Sequence, residues 1–152
     1  MTEIVPQPFH KIQLIGVWDY VDAHVEQPSG AIIYNFGPNP KGRFIINPLG
    51  EYSHIVMRND LPPIAGGSLQ ATSPAEADII AKGVLSHYGS WDANGPAGEF
   101  TVRIDQSSFA AFNGISQTRI VTKLTFSELE YVNLTATNGG DAKIFAKLRR
   151  VL

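Results

Sequence analysis

Most of the chain is a succession of short runs rich in Val, Ile, Phe, Tyr and Thr, cut apart by clusters of Gly, Pro, Asn and Asp. That punctuation leaves few folds open. β-Branched and aromatic side chains suit a pleated, half-buried surface, whereas Gly and Pro interrupt its ladder. The pattern predicts strands over 15–25, 30–36, 42–48, 51–58, 84–92, 98–106, 108–113, 116–126, 129–137 and 142–151. Between two of these, "NPLGEY" sets Pro48 and Gly50 at turn positions, and "ATNGGDAK" offers an Asn-Gly-Gly turn near 139. Residues that tolerate positive φ close hairpins, so neighbouring strands are expected to pair locally and antiparallel.

One segment has a different period. In "TSPAEADIIAKGVL", Ser73 stands as a cap, Pro74 suits the first helical position, and Glu76 completes a capping box, which predicts a helix over 74–82 that stops near Gly83. The preceding "NDLPPIAGGSLQ" reads as a loop. A set of short antiparallel strands either stacks as a sandwich or closes on itself. Sequential hairpins favour closure, because it removes exposed edges. The expected fold is an all-β, up-and-down antiparallel β-barrel with one short helix and a long loop covering one end. A length of 152 residues suits a single domain, 1–152, with 1–13 as an N-terminal extension. Alternation is cleanest in "EFTVRID", where Phe100, Val102 and Ile104 share one face, while "GAIIYNF" and "RFIIN" read as apolar on both faces.

The first strand opens with Gly16 and Trp18, a Gly-x-Trp that resembles the start of the lipocalins. The stretch from about 14 to 151 is similar to the microbial lipocalin-like domain family in "FGPNPKG", "NPLGEYSH", "MRNDLPP", "TSPAEA" and "YGSW". The resemblance implies a calycin-type barrel with an internal apolar cavity. It also implies that Trp18 packs at the closed end against an arginine of the last strand, Arg150 or, alternatively, Arg149 of "KLRRVL". Gly16, Trp18 and Arg150 are thus assigned a structural role. No single activity follows, and the secreted transport lipocalins are matched less well: there is no Thr-Asp-Tyr motif and no cysteine for a disulfide.

A net charge of -2 and a pI near 6.0 provide no long-range field for a phosphate backbone, so nucleic acid is not an expected partner. The start "MTEIVPQPFH" has neither a basic nor an apolar region of the signal-peptide kind, and no run reaches membrane-spanning length. With the absence of cysteine, this gives a cytoplasmic location and no membrane partner as the expectation. Asn133, Leu134 and Thr135 match a glycosylation sequon that has no use in that setting. Charged residues make up 17% of the chain, below the roughly 25% usual for soluble domains, which leaves apolar surface for a ligand cavity or a homo-oligomeric contact.

The four histidines show no metal-ligand spacing, and the chain has no nucleophile elbow, phosphate loop or dinucleotide fingerprint. Neither a metal nor a cofactor is expected. Strand parity puts Tyr52, His54, Val56 and Arg58 on one face, and Leu85, His87, Gly89 and Trp91 on another. Inward-facing, His54 and His87 are candidate catalytic imidazoles, and Arg119, lying between apolar strand residues, is a candidate partner for a carboxylate or enolate. Each has an ordinary alternative as a satisfied core or surface residue. Tyr34, Tyr52, Trp91, Phe100, Gln117 and Tyr131 are candidate ligand contacts. Two functions compete: a cofactor-independent isomerase or cyclase, possible pericyclic closure included, acting on a hydrophobic small molecule of secondary metabolism, and a non-catalytic carrier of such a molecule. Convergence of His54, His87 and Arg119 on one point would favour the first. A filled interior would favour a third, purely structural role for the chain.

Overall fold

The computed structural model describes residues 2–135 and 139–152, and its sheet closes through the first strand. Strand β1 (Gly16–Glu26) carries β2 (Ile32–Ile33) at its far end. It also pairs antiparallel with β3 (Lys41–Ile46) on one side. From there the chain runs hairpin by hairpin through β4 (Glu51–Met57), β5 (Val84–Asn94), β6 (Glu99–Ser107), β7 (Ser116–Leu124), β8 (Glu128–Asn133) and β9 (Lys143–Arg150). β9 then pairs with β1, so that eight strands form a closed up-and-down barrel, with β2 as an appendage. This is the barrel expected from the punctuation of the sequence.

Alternation decides what faces inward. Phe44 and Ile46, then Tyr52, His54 and Val56, then Leu85, His87 and Trp91, then Phe100, Val102 and Ile104 are all buried, and their strand neighbours are more exposed. Three register shifts adjust the rows, between Tyr20 and Asp22 on β1, at Asp105 of β6 opposite Tyr88 and Gly89, and between Val121 and Lys123 on β7. The second accounts for Gly89, where a Cβ would lie 1.9 Å from the carbonyl oxygen of Arg103. Its missing side chain makes room for the neighbouring backbone.

Three sequence expectations are corrected. The strand expected over 30–36 shrinks to Ile32–Ile33, because turns close at Gly30 and Gly37 on either side. Ile32, Ile33 and Tyr34 lie on the outside, so "GAIIYNF" is not an inner wall, and only Phe36 of its large side chains is buried. "RFIIN" is one-sided as well, with Ile45 exposed between buried Phe44 and Ile46. The strand expected over 108–113 is a loop with a 3₁₀ turn at Ala110–Phe112. Side chains compete with the ladder there: Phe109 N–H donates to Ser107 Oγ, and Ser107 N–H donates to Asn113 Oδ1. The hairpin between β8 and β9 is formed, but Asn138 of the expected Asn-Gly-Gly turn and the 136–137 end of the expected strand lie outside the described residues.

Helix α1 (Pro74–Gly83) starts as its sequence predicts. Glu76 N–H donates to Ser73 Oγ, and Ser73 N–H donates to Glu76 Oε1. Such a cap is worth about 1 kcal/mol. The other Glu76 oxygen accepts from Ala65 N–H, which ties the helix to the loop before it. Together they link β4 to β5 beside one end of the barrel, called here the open end.

The opposite, closed end is sealed by the N-terminal segment. Gln7 and Phe9 N–H groups donate to the carbonyls of Val121 and Gly95. Over this plug, the Arg150 guanidinium stacks 4.2 Å from the Trp18 ring and donates to the carbonyls of Phe126, Ile15 and Gln13. Trp18 Nε1–H in turn donates to Leu14 O. Gly16 has φ +149°, and a Cβ there would come within 2.3 Å of Arg150 Nη1. A side chain would displace the arginine. Arg149 points to the surface instead.

Candidate functional site

Halfway up the barrel, a polar cluster interrupts the apolar core. β4 and β5 are registered so that His54 lies opposite His87, and the two rings stack at 4.4 Å between centroids. β7 contributes Gln117 and Arg119 from one face, and β8 adds Tyr131 and Asn133 from its own. Both imidazoles, Gln117, Arg119 and Asn133 are buried. With Tyr20 of β1, these residues meet around a cavity of about 20 Å³, room for about one water molecule. Ala23, Phe36, Val56, Leu85, Phe112 and Ile144, with Thr135 beside Asn133, complete its wall. A second, larger cavity of about 380 Å³ lies beyond, between Phe109 and the end of α1, and it shares Phe36 and Leu85 with the first.

Hydrogen bonds organise one side of the cluster. The Tyr20 hydroxyl bonds both His54 Nε2 and the Tyr131 hydroxyl, and the Tyr52 hydroxyl bonds His87 Nδ1 at 2.8 Å. Burial disfavours the charged imidazole, and the positive Arg119 adds to this. His87 is thereby lowered to about 3, and His54, which also faces His87, is held well below its ordinary value. Burial, then neighbouring Tyr131, raises the Tyr20 hydroxyl well above its ordinary value. At neutral pH the cluster therefore holds neutral rings, neutral hydroxyls and one fixed positive charge.

That charge is poorly matched. The Arg119 guanidinium lies 5.1 Å from the rings of Phe44 and Tyr131 and 6.0 Å from Phe100, and Nη2 donates to Gln117 Oε1 at 3.3 Å. Gln117 Oε1 also accepts from Asn133 Nδ2. Among the described residues, no carboxylate pairs with Arg119, and its Nε and Nη1 have no acceptor. Gln117 Nε2 and His54 Nδ1 are likewise without partners. The unmet groups of Arg119 and Gln117 are all donors, and His54 Nδ1 becomes one when Tyr20 donates to Nε2.

The residues singled out from sequence fall in several places. His54, His87, Arg119, Gln117 and Tyr131 line the cavity. Tyr52 supports His87 from behind, and Phe100 lies beneath Arg119. Trp91 is remote from the cavity wall, its Nε1–H donating to Asn47 O near the closed end. Tyr34 is half-exposed on the outside, with its ring against His24. Tyr20 was missed, although it shares its face with Gly16 and Trp18; the bulge beyond it hides that parity in the rest of β1. Among the described residues, no group of three or more His, Asp or Glu is arranged to hold a metal, and no helix is long and apolar enough to cross a membrane.

Neither a family model nor a curated protein matches the chain. Among solved structures, a biogenic amine-binding protein is similar over 99% of this chain and 72% of its own, at 10% identity and a TM-score of 0.53. A complex of bovine odorant binding protein with a selenium-containing odorant covers 99% and 78% at 10% identity and a TM-score of 0.48. A redesigned β-barrel covers 93% and 94% at 12% identity and a TM-score of 0.47. At these identities the likeness is one of fold alone, and it agrees with the closed antiparallel up-and-down barrel of the strand order.

Proposed function

We propose that the barrel interior takes up a small molecule with an apolar body and guides a cofactor-independent isomerisation or cyclisation, a pericyclic ring closure among them, of the kind used in secondary-metabolite assembly. What supports this reading is the convergence of His54, His87 and Arg119 on one cavity. Ligand uptake would proceed from the open end, with rotation of Phe36 joining the two cavities that share it. Confinement selects a reactive conformer and excludes water, Arg119 polarises a carbonyl oxygen, and a neutral imidazole relays a proton between two positions of the substrate. Atoms balance in such a transfer without an external reductant or oxidant.

Carriage without turnover is the competing reading. The similar barrel named for a biogenic amine is a binding protein, and the same fold here would serve that purpose. An amine, however, would bring a cation to the uncompensated Arg119, so we do not assign one as ligand. The test is incubation with apolar compounds of polyketide and terpenoid type, with calorimetry for binding and mass spectrometry and chromatography for the compound returned. Neither tryptophan lines the cavity, so calorimetry rather than intrinsic fluorescence reports binding. We expect an isomeric product that His54→Ala and His87→Ala no longer form. Saturable binding with every compound returned unchanged would replace turnover by carriage.

A further inference from the structure

We infer that the ligand presents a delocalised two-oxygen anion, a carboxylate or the enolate of a 1,3-dicarbonyl, to Arg119, with its apolar body directed toward the open end. This rests on the reading that the cavity is the ligand site, and it specifies the chemistry of the ligand's head.

The case begins with an imbalance. Arg119 is 2% exposed, so water does not solvate it freely, and the rings of Phe44 and Tyr131, 5.1 Å away, offer π-electrons but no oxygen acceptor. Two of its nitrogens, Nε and Nη1, are left without acceptors among the described residues, and Gln117 Nε2 adds a third unused donor. Gln117 Oε1 cannot supply the deficit, since it already accepts from both Arg119 and Asn133. Neutral alcohols offer one weak acceptor. A two-oxygen anion supplies both the missing charge and the planar pair of acceptors that a guanidinium fork recognises. Outside the cluster the lining is apolar, Phe36, Val56, Leu85 and Phe112 among it, except for Thr135 beside Asn133, so the remainder of the ligand is largely apolar. The neutral imidazoles are compatible with this ligand, because they add no competing negative charge.

Calorimetry near neutral pH with octanoate, 2-acetylcyclohexane-1,3-dione, octan-1-ol and octylamine tests the inference on the intact protein. At least one of the two anions should bind about tenfold or more tightly than octanol, with octylamine weakest, since a charge-assisted hydrogen bond is worth about that factor. Which anion binds more tightly distinguishes a carboxylate from an enolate. Arg119→Met should remove about tenfold of the anion's affinity and leave octanol within about threefold, while Arg119→Lys should retain part of it. A thermal melt of each variant checks that it is folded. Octanol bound as tightly as both anions, or a folded Arg119→Met that keeps the anion's affinity, would overturn the anionic head and leave the cavity as a ligand site. Failure of all four probes to bind would overturn both the head and the site.

Discussion

Two arginines enter the same barrel and are treated in opposite ways. At the closed end, Arg150 stacks on Trp18 and directs its N–H groups to three backbone carbonyls. In the middle of the barrel, Arg119 is more deeply buried, with aromatic rings around it, one long hydrogen bond and two nitrogens without acceptors. A buried ion that lacks a partner destabilises a fold by several kcal/mol, whereas a satisfied one is close to neutral. Arg150 is therefore explained by the structure it seals. Arg119 is not, and neither is the donor-rich surface around it. The small free volume beside it does not make the interior an ordinary packed core, because an apolar residue would fill that place more stably.

The largest expected effect concerns pH and bears only on the central region. An imidazole lowered in the folded state contributes stability that is fully present above the ordinary value of 6.5 and is lost as pH falls toward the folded value. For His87 that window runs from 6.5 to about 3, with a slope of about 1.4 kcal/mol per pH unit. His54 adds to it in the same direction. The lowered carboxylates Glu26, Asp60, Glu76, Asp92 and Glu128 act in the same direction but only as pH nears 4.5, so the histidines dominate the upper part of the range from 6.5 to 4.5. Urea unfolding across this interval should show stability falling by about 2 kcal/mol from His87 alone, and further through His54. In His87→Phe the slope should flatten; an unchanged slope would show that the ring is not held neutral.

Arg150→Ala tests the other side of the comparison. Three carbonyls lose their donor and Trp18 loses its stacked cation, so unfolding free energy should drop by about 3 kcal/mol, a loss readable in urea melts. No effect would mean that water replaces the guanidinium without penalty. Arg119→Met should move the other way. With its unpaired charge replaced by an apolar side chain, the ligand-free protein should gain about 1 to 2 kcal/mol. A loss of similar size to that of Arg150→Ala would make the two arginines equivalent, and the contrast between sealing and receiving would fail.

Legibility in the sequence follows the same division. Local rules made the barrel readable: alternation in "EFTVRID", the Ser73 and Glu76 capping box, and Gly-x-Trp with an arginine near the end of the chain all depend on neighbours or a fixed frame. Parity also grouped His54 with Tyr52 and Val56, and His87 with Leu85 and Trp91, on single strand faces, without saying which faces look inward. Register did not follow from it. Nothing in "EYSHIVMR" or "VLSHYGSW" says that the two rings stack, or that Tyr20 bridges His54 to Tyr131 across the barrel, because those contacts depend on the shear of the closed sheet and on the bulge in β1. The segments misread as strands failed for a local reason. In 30–36 and 108–113, β-forming composition is overruled by turns whose hydrogen bonds leave no ladder to extend.

The smallest effect distinguishes a packed polar network from a receptive one. Tyr131 touches Tyr20 through its hydroxyl and Arg119 through its ring, so Tyr131→Phe removes the first contact and keeps most of the second. Tyr20 retains His54 as a partner, and no buried carbonyl is abandoned. The ligand-free protein should therefore lose about 1 kcal/mol or less. A loss several times larger would mean that the hydroxyl chain from His54 to Tyr131 is what holds this level of the barrel together, and the cluster would then resemble the closed end. A small loss, alongside stabilisation by Arg119→Met, would leave the centre of the barrel as the region whose polar groups are held in place for a molecule from outside the chain.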